Sequence, residues 1–329
     1  MYEVPCCHMN RFEGGLSLMK IAIIGAGIAG LTAADRLRAA GADCTVFEKS
    51  RGLGGRMATR RVETLQFDHG AQYFTARGAR FESRLAQWQS QGIVAEWSPG
   101  KWVGTPAMTA PARSLAAGLQ VIPHYQVTGL AGGPGHWRLV SDNTATGTIA
   151  QASFDAVIMA VPAPQISPLA ASADVRFPEL DRVRYAPCLS LMLAFDRPTG
   201  LHDSSLRPED GPIAWIARNN TKPGRASPLE TLVVHATAAW SRAHLDDPAE
   251  RTSDALLRGL GPFIGDAEPV FRMIHRWLYA RVEQTAGVPF IWNADQQLGA
   301  CGDWGGGPRV ESAFDSGDAL AAALVERLK

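Results

Sequence analysis

Residues 21–30 read Ile-Ala-Ile-Ile-Gly-Ala-Gly-Ile-Ala-Gly. Four apolar residues in succession, Ile21 to Ile24, suit a parallel strand buried on both faces. The glycines then open a helix, LTAADRLRAA, that stops at Gly41. A second strand, Cys44 to Phe47, follows and ends on Glu48. Strand, glycines, helix, strand and acid together spell a βαβ dinucleotide-binding unit. In such a unit Gly25 permits the tight turn, Gly27 lets backbone approach a pyrophosphate, and Gly30 lets helix pack on strand. The helix start, with Ile28 and Ala29, then faces the phosphates. Glu48 stands 18 residues beyond Gly30, where a carboxylate accepts the hydroxyls of an adenosine ribose. Its charge disfavours a 2′-phosphate at the same place.

Working outward, the chain continues Lys49-Ser50-Arg51-Gly52-Leu53-Gly54-Gly55-Arg56-Met57. A protein that exchanges NAD with solvent needs no second glycine loop. Here glycines free another segment to pass close to a ligand, and Arg51 and Arg56 can set guanidinium groups near a pyrophosphate. A basic surface loop is the plain alternative.

The bulk properties are ordinary for a globular chain of 329 residues: 46% hydrophobic, 19% charged and no net formal charge. That balance gives no ground for a nucleic-acid or anionic-membrane partner. No apolar run reaches the roughly 18 residues of a spanning helix. The cysteines, Cys6, Cys7, Cys44, Cys188 and Cys301, are odd in number and scattered, which points to no disulfide framework, no zinc site and a reduced, cytoplasmic compartment. Residues 1–18 lack the pattern of a secretory signal and are expected to be a disordered extension, or sequence upstream of the natural start. A metal at Cys6, Cys7 and His8 would want further ligands nearby.

With GxGxxG, Glu48 and RxGGR in place, the sequence resembles the flavoproteins that include the amine oxidases, which bury FAD permanently. Phe67-Asp68-His69-Gly70-Ala71-Gln72-Tyr73-Phe74 looks like that group's stretch along the flavin ring. At the far end, Ala300-Cys301-Gly302-Asp303-Trp304 and Pro308 to Gly317 resemble its closing strand and helix. The resemblance implies an α/β fold: a Rossmann-like FAD-binding domain of the amine-oxidase and p-hydroxybenzoate-hydroxylase type, with an inserted α+β substrate domain on a mostly antiparallel sheet. Residues 19–77, 108–162 and 283–329 would form the FAD domain, and 78–107 with 163–282 the substrate domain. It also implies a set of cofactor contacts: Gly25, Gly27, Ile28, Ala29, Gly30, Glu48, Lys49, Arg51, Gly55, Arg56, Met57, Gly70, Ala71, Gln72, Val127 beside adenine, Ala160, Gly302, Asp303 and Val310. A helix N-terminus at Val310 would stabilise negative charge on reduced flavin.

Between the ends, Ala112–Leu119 reads as a helix, and Val121-Ile122 begins a strand. Residues 136–140 and 149–154 suit an antiparallel ribbon, and 154–162 another buried strand. In the middle, 189–195, 213–217 and 232–236 read as strands and 253–260 as a helix.

FDHGAQYFTAR, KWVGTPAMTAPARSLA, AWIARNNTKPGR, VVHATAAWSRAHL, HRWLYARV and CGDWGGGPRVESAFDSG bring the resemblance closest to the renalase family and its bacterial members. That implies an oxidase of misreduced nicotinamides, the 2- or 6-dihydro isomers of NAD(P)H. Hydride would pass to flavin N5, restoring NAD(P)+, and oxygen would take the electrons to give hydrogen peroxide. Loss of hydride from a dihydropyridine gives an aromatic cation directly, so no protein base is required. The candidate positioning residues are Tyr73, Asn219 with Asn220, His235, Trp304 and Arg309. His235 could equally be a core group, Tyr73 packing and Arg309 surface. Trp215, Trp240, Trp277 and Trp292 would be mostly core, with Trp304 facing the flavin.

An amine oxidase with a conventional amine is the alternative. The resembled enzymes hold a lysine near 271–283, but this chain has only Lys20, Lys49, Lys101, Lys222 and Lys329, with His275-Arg276-Trp277 in that place. No Ser-Gly-Gly-Cys segment is present for a covalent tether, so FAD is expected to be noncovalent. A non-catalytic FAD protein and an NAD-dependent dehydrogenase are the remaining readings. The second leaves 51–56 and 300–317 unexplained.

Overall fold

The computed structural model describes residues 19–142, 152–225 and 227–327. The expectations for residues 1–18, including the cysteine cluster, and for 149–151 of the ribbon lie outside them.

The chain opens with β1 (Lys20–Ile24), α1 (Ile28–Ala39) and β2 (Asp43–Phe47), the βαβ unit read from sequence. A hairpin of β3 (Arg60–Val62) and β4 (Leu65–Phe67) precedes α2 (Ala79–Ser90). A second hairpin, β5 (Val94–Ser98) and β6 (Lys101–Gly104), leads to α3 (Ala110–Leu115) and β7 (Gln120–Ile122). Next come β8 (Val127–Ala131), β9 (Arg138–Ser141), β10 (Ala156–Met159) and α4 (Ala163–Ala171). The middle holds β11 (Arg184–Phe195), β12 (Ser205–Leu206), β13 (Ile213–Arg218) and β14 (Glu230–Ala236). It ends with α5 (Ala238–Ala243), α6 (Ala249–Ile264) and β15 (Phe271–Gln284). The last elements are β16 (Phe290–Asn293), β17 (Leu298–Cys301) and α7 (Val310–Arg327).

Two sheets carry the architecture. The first has the order β16-β17-β10-β1-β2-β7, parallel throughout except for the antiparallel edge strand β16. Side chains alternate across it, so Ile21 and Ile23 enter one apolar layer while Ala22 and Ile24 enter the other. Both faces are therefore covered, as an uninterrupted apolar strand demands. One layer holds α1 and α7, the other α4 and the β8–β9 ribbon. Each large aliphatic side chain sealed there contributes about 1.5–3 kcal/mol.

The second sheet is antiparallel, in the order β12-β13-β14-β11-β15. Leu189, Leu191, Leu193, Leu232 and Val234 point from one face onto Leu256 and Leu260 of α6. Met192, Ala194 and Val233 point from the other onto Leu65 and Phe67 of β4. That second face is the one turned toward the nucleotide-binding half.

Two segments pack differently from the sequence expectation. Phe81, Leu85 and Trp88 of α2 join the layer of α1 and α7, and Ile166 and Leu169 of α4 join the opposite layer. Both were expected with the substrate domain, but each offers its apolar stripe to the parallel sheet. The ribbon partner of β9 is β8, while Phe154 makes a single bridge to Trp137.

Candidate active site

The nucleotide end is two glycine loops laid one on the other. Gly25 adopts φ 106°, and a Cβ there would meet the Ala160 carbonyl at 2.6 Å. A Cβ on Gly30 would meet the Gly25 carbonyl at 2.2 Å, so α1 sits hard against the turn. Gly27, by contrast, faces open space, and no side chain caps α1. Gly54 donates to the Ala26 carbonyl at 2.8 Å, and Gly55 lies 3.5 Å from the Gly27 Cα, measured from where its own Cβ would be. An uncapped helix start, an open glycine and a second glycine loop across from it suit a bound pyrophosphate. Glu48 is buried beside them, accepting from the Ala26 amide at 2.9 Å and the Ser50 amide at 2.8 Å. Lys49 and Arg51 are exposed, and Met57 is buried in the core.

Arg56 joins the two ends of the sequence. Its guanidinium meets Asp303 through two hydrogen bonds, 2.6 and 2.7 Å, and lies over the Tyr185 ring. Burial alone would lower the Arg56 pKa, but the Asp303 carboxylate outweighs it and holds the guanidinium above its ordinary value. Tyr185 is pushed up, chiefly by burial and then by Asp303. Gly70 passes so close beneath that a Cβ would overlap the Arg56 carbonyl at 2.0 Å, and the Ala71 amide donates to the same carbonyl. The glycine loops, the 68–73 loop and the Gly302–Asp303 turn are thus one assembly. Gly302 is held in turn by its amide bonding Ser316 of α7.

The antiparallel sheet presents a row of side chains to this assembly. Trp215 pairs with His235, His235 with Ser190, and Ser190 with His275. Cross-strand partners share a face, so one line runs through β13, β14, β11 and β15. The 68–73 loop follows it step for step. His69 stacks on Trp277, centroids 5.1 Å apart, and meets His275 edge-on at 4.7 Å. The Gln72 amide lies 3.3 Å from His235, and the Tyr73 ring 5.7 Å from Trp215. Trp277 donates to the His69 carbonyl at 2.9 Å. Tyr279, further along β15, packs on Tyr185 next to Arg56. Half-buried His275, Trp277 and Tyr279 therefore form an aromatic wall from the row to the Arg56–Asp303 pair.

The imidazoles along the row are uncharged at pH 7. Burial lowers the His235 pKa to about 4. Burial, aided by His275 and Arg60, lowers His69 to about 3. Burial and Arg60 lower His275 to about 4. Asp68 lies behind the loop, sealed between Arg225 at 2.7 Å and Lys222 at 3.4 Å. These cations overcome the upward pull of burial and keep its pKa low. Lys222 is itself lowered to about 8, mainly by burial, and donates to the Gln72 side-chain oxygen Oε1 at 3.2 Å.

Several expected site residues are employed otherwise. Asn219 is fully buried, accepting from the Asp68 amide and donating to the Gln66 carbonyl. Both ends of its amide are spent on backbone, so it braces the loop instead of meeting substrate, and Asn220 likewise accepts from Thr231. Trp304 is fully buried in the apolar layer with Ala286, Ile291 and Ala300, its indole folded over Gly302. It is a packing residue, not an open wall. Arg309 sits 3.1 Å from Glu311 in the first turn of α7. Glu311 also accepts from the Arg77 and Gly78 amides. His235 lies in the row and Tyr73 at its end, while Val127 and Val310 open β8 and α7 and Ala160 follows β10.

Sequence reasoning missed Asp68, Lys222 and Arg225 as a cluster, and His69 and Trp277 as a stack. The visible hint was Lys222 itself, one of five lysines, in a Lys-Pro-Gly-Arg turn. Among the described residues, no group of histidine, cysteine and acidic side chains is placed to hold a metal. No helix among them is long and apolar enough to cross a membrane.

The fold and site define a flavin-dependent oxidoreductase. Residues 23–87 match the NAD(P)-binding Rossmann-like domain, and 82–290, more than half of the chain, match flavin containing amine oxidoreductase; the chain belongs to that family, and its cofactor is FAD. A provisionally assigned protoporphyrinogen oxidase from Exiguobacterium sp. 255-15 has the same fold, with a TM-score of 0.74 at 14% identity over 94% of this chain and 99% of that one. Cyclohexylamine oxidase from Brevibacterium oxydans IH-35A superposes with a TM-score of 0.67 at 12% identity, over 94% and 99% of the two chains. A 4,4′-diapophytoene desaturase from Staphylococcus aureus (strain Newman) is 40% identical over 77 residues, 20% of this chain and only 15% of the desaturase.

Proposed function

We propose that this protein oxidises isomeric 2- or 6-dihydro NAD(P)H to NAD(P)+, with oxygen reduced to hydrogen peroxide. The observation that carries the reading is the row with its uncharged imidazoles. A dihydropyridine donor is flat and needs no proton removed, so the protein must only stack it and hold it. His275, Trp277 and Tyr279 offer a wall for that ring, and the His235 imidazole, its Nε2 held 3.2 Å from the His69 carbonyl, stands beside it. Noncovalently bound FAD supplies the hydride acceptor and passes the electrons to oxygen. The imidazoles stay uncharged and so add no repulsion toward the pyridinium cation that forms. Arg56, paired with Asp303 at the other end of the wall, would help hold the cofactor there when it is bound.

An amine donor is the second reading, favoured by the family's name and by buried Lys222. A protonated amine wants a carboxylate, however, and Asp68 and Asp303 are both committed to cations. Lys222 is fully buried behind Gln72.

Mixing the protein anaerobically with 6-dihydro-NAD should bleach the flavin absorbance within seconds, while primary amines leave it oxidised. Rapid bleaching by an amine, with none by either dihydronicotinamide, would reverse the order of the two readings.

A further inference from the structure

Among the described residues four cations lie over aromatic rings, and they divide cleanly. Arg56 over Tyr185 has Asp303, and Lys222 over Trp97 has Asp68. Lys101 and Arg207 have no carboxylate partner among the described residues. Both lie over the same indole, Trp215, with Lys101 Nζ 5.6 Å and the Arg207 guanidinium 4.6 Å from its centre. Lys101 also lies 5.3 Å from the Tyr73 ring, and Arg207 donates to the Tyr73 hydroxyl at 3.1 Å.

These two charges come from different parts of the chain. Lys101 opens β6 and Arg207 follows β12. Neither charge has a carboxylate beside it among the described residues, and an anion next to the shared indole would compensate both. The Tyr73 oxygen accepts from Arg207, which leaves its own hydrogen to give away. The Trp215 indole N–H is buried with no hydrogen-bond partner, an outcome that carries a desolvation cost. Two cations and a hydroxyl around one indole suit an oxygen-rich anion.

Its position gives the anion an owner. Trp215 is the last member of the row, directly opposite His235. From there to His275 is three strand spacings, roughly 14 Å. We propose that Lys101 and Arg207, seated over Trp215 and Tyr73, receive the phosphate-bearing tail of the substrate whose ring is held further along the row. This rests on the dihydronicotinamide reading for the ring, but the receptor itself would take any donor with a phosphoryl group on an extended arm. It makes the substrate a nucleotide, not a bare heterocycle.

The test uses the FAD-loaded protein, in which the cofactor's own phosphates fill the glycine loops. Inorganic pyrophosphate binding is measured by calorimetry for the wild type, Lys101→Gln, Arg207→Gln, the double variant and the charge-retaining Lys101→Arg. In parallel, anaerobic flavin reduction is followed with 6-dihydro-NAD and with the phosphate-free dihydronicotinamide riboside. Each lost cation should weaken pyrophosphate binding about tenfold or more, with Lys101→Arg largely restored. The half-saturating concentration of the dinucleotide should rise in step while that of the riboside stays within about twofold. Flavin absorbance, equal in every variant, excludes misfolding. Should the double variant bind pyrophosphate as the wild type does and keep its preference for dinucleotide over riboside, the inference is overturned. Pyrophosphate binding that follows the two cations, with no bleaching by either dihydronicotinamide, would instead sustain the receptor and remove the proposed ring.

Discussion

At the scale of single residues, the site is governed by which charges are paired. Lys222 shows it most sharply, because burial lowers its pKa to about 8 while an unfolded lysine titrates near ~10.4. Below pH 8 both states carry the proton, and the folded state bears the cost of hiding it. Between about 8 and ~10.4 the unfolded chain still holds a proton that the folded one has released, so stability rises with pH across that window. Chemical denaturation at pH 7.5 and 10 should find wild type gaining on the order of 3 kcal/mol relative to Lys222→Met. An unchanged difference would mean that Asp68 keeps Lys222 charged throughout. Beyond the rarity of Lys222 itself, none of this was legible beforehand. Lys222, Asp68 and Arg225 are isolated charges in segments without periodicity, and only tertiary packing sets them side by side. Asn219 was misread for the same reason: its partners are backbone groups of a loop 151 and 153 residues away.

At the scale of elements, legibility followed sequence distance. The unit of β1, α1 and β2 was readable because its glycines, apolar run and terminal acid act within thirty residues of one another. The Gly302–Asp303 turn and α7 were readable only through resemblance, and of the row across the antiparallel sheet only His235 was singled out, not its alignment with the others. Its line-up depends on the registers of four strands, with irregularities in the β11–β15 and β13–β14 pairings. Helices α1 and α7 pack closely, and a Cβ on Gly317 would stand 2.1 Å from the Ala29 carbonyl. Gly317→Ala should therefore cost about 1–3 kcal/mol, seen as a melting temperature lower by several degrees. FAD affinity should fall as well, since α7 also holds Gly302 through Ser316. A variant that melts and binds FAD like wild type would show that the two helices can slide apart freely.

At the scale of the whole molecule, the class of enzyme was legible while its substrate was not, because the cofactor end is motif-bound and the substrate end is built from register. The purified protein should be yellow, and acid or heat should release intact FAD, for Cys301 is fully buried in β17 and is no tether. Flavin that stays with the precipitated polypeptide would contradict this. The Arg56–Asp303 pair spans 247 positions, and that separation has a consequence during synthesis. At about 5–20 residues per second, a ribosome makes the second partner roughly 12–50 s after the first. For that interval the nascent polypeptide displays half of a receptacle, and any flavin arriving early finds nothing to close over it.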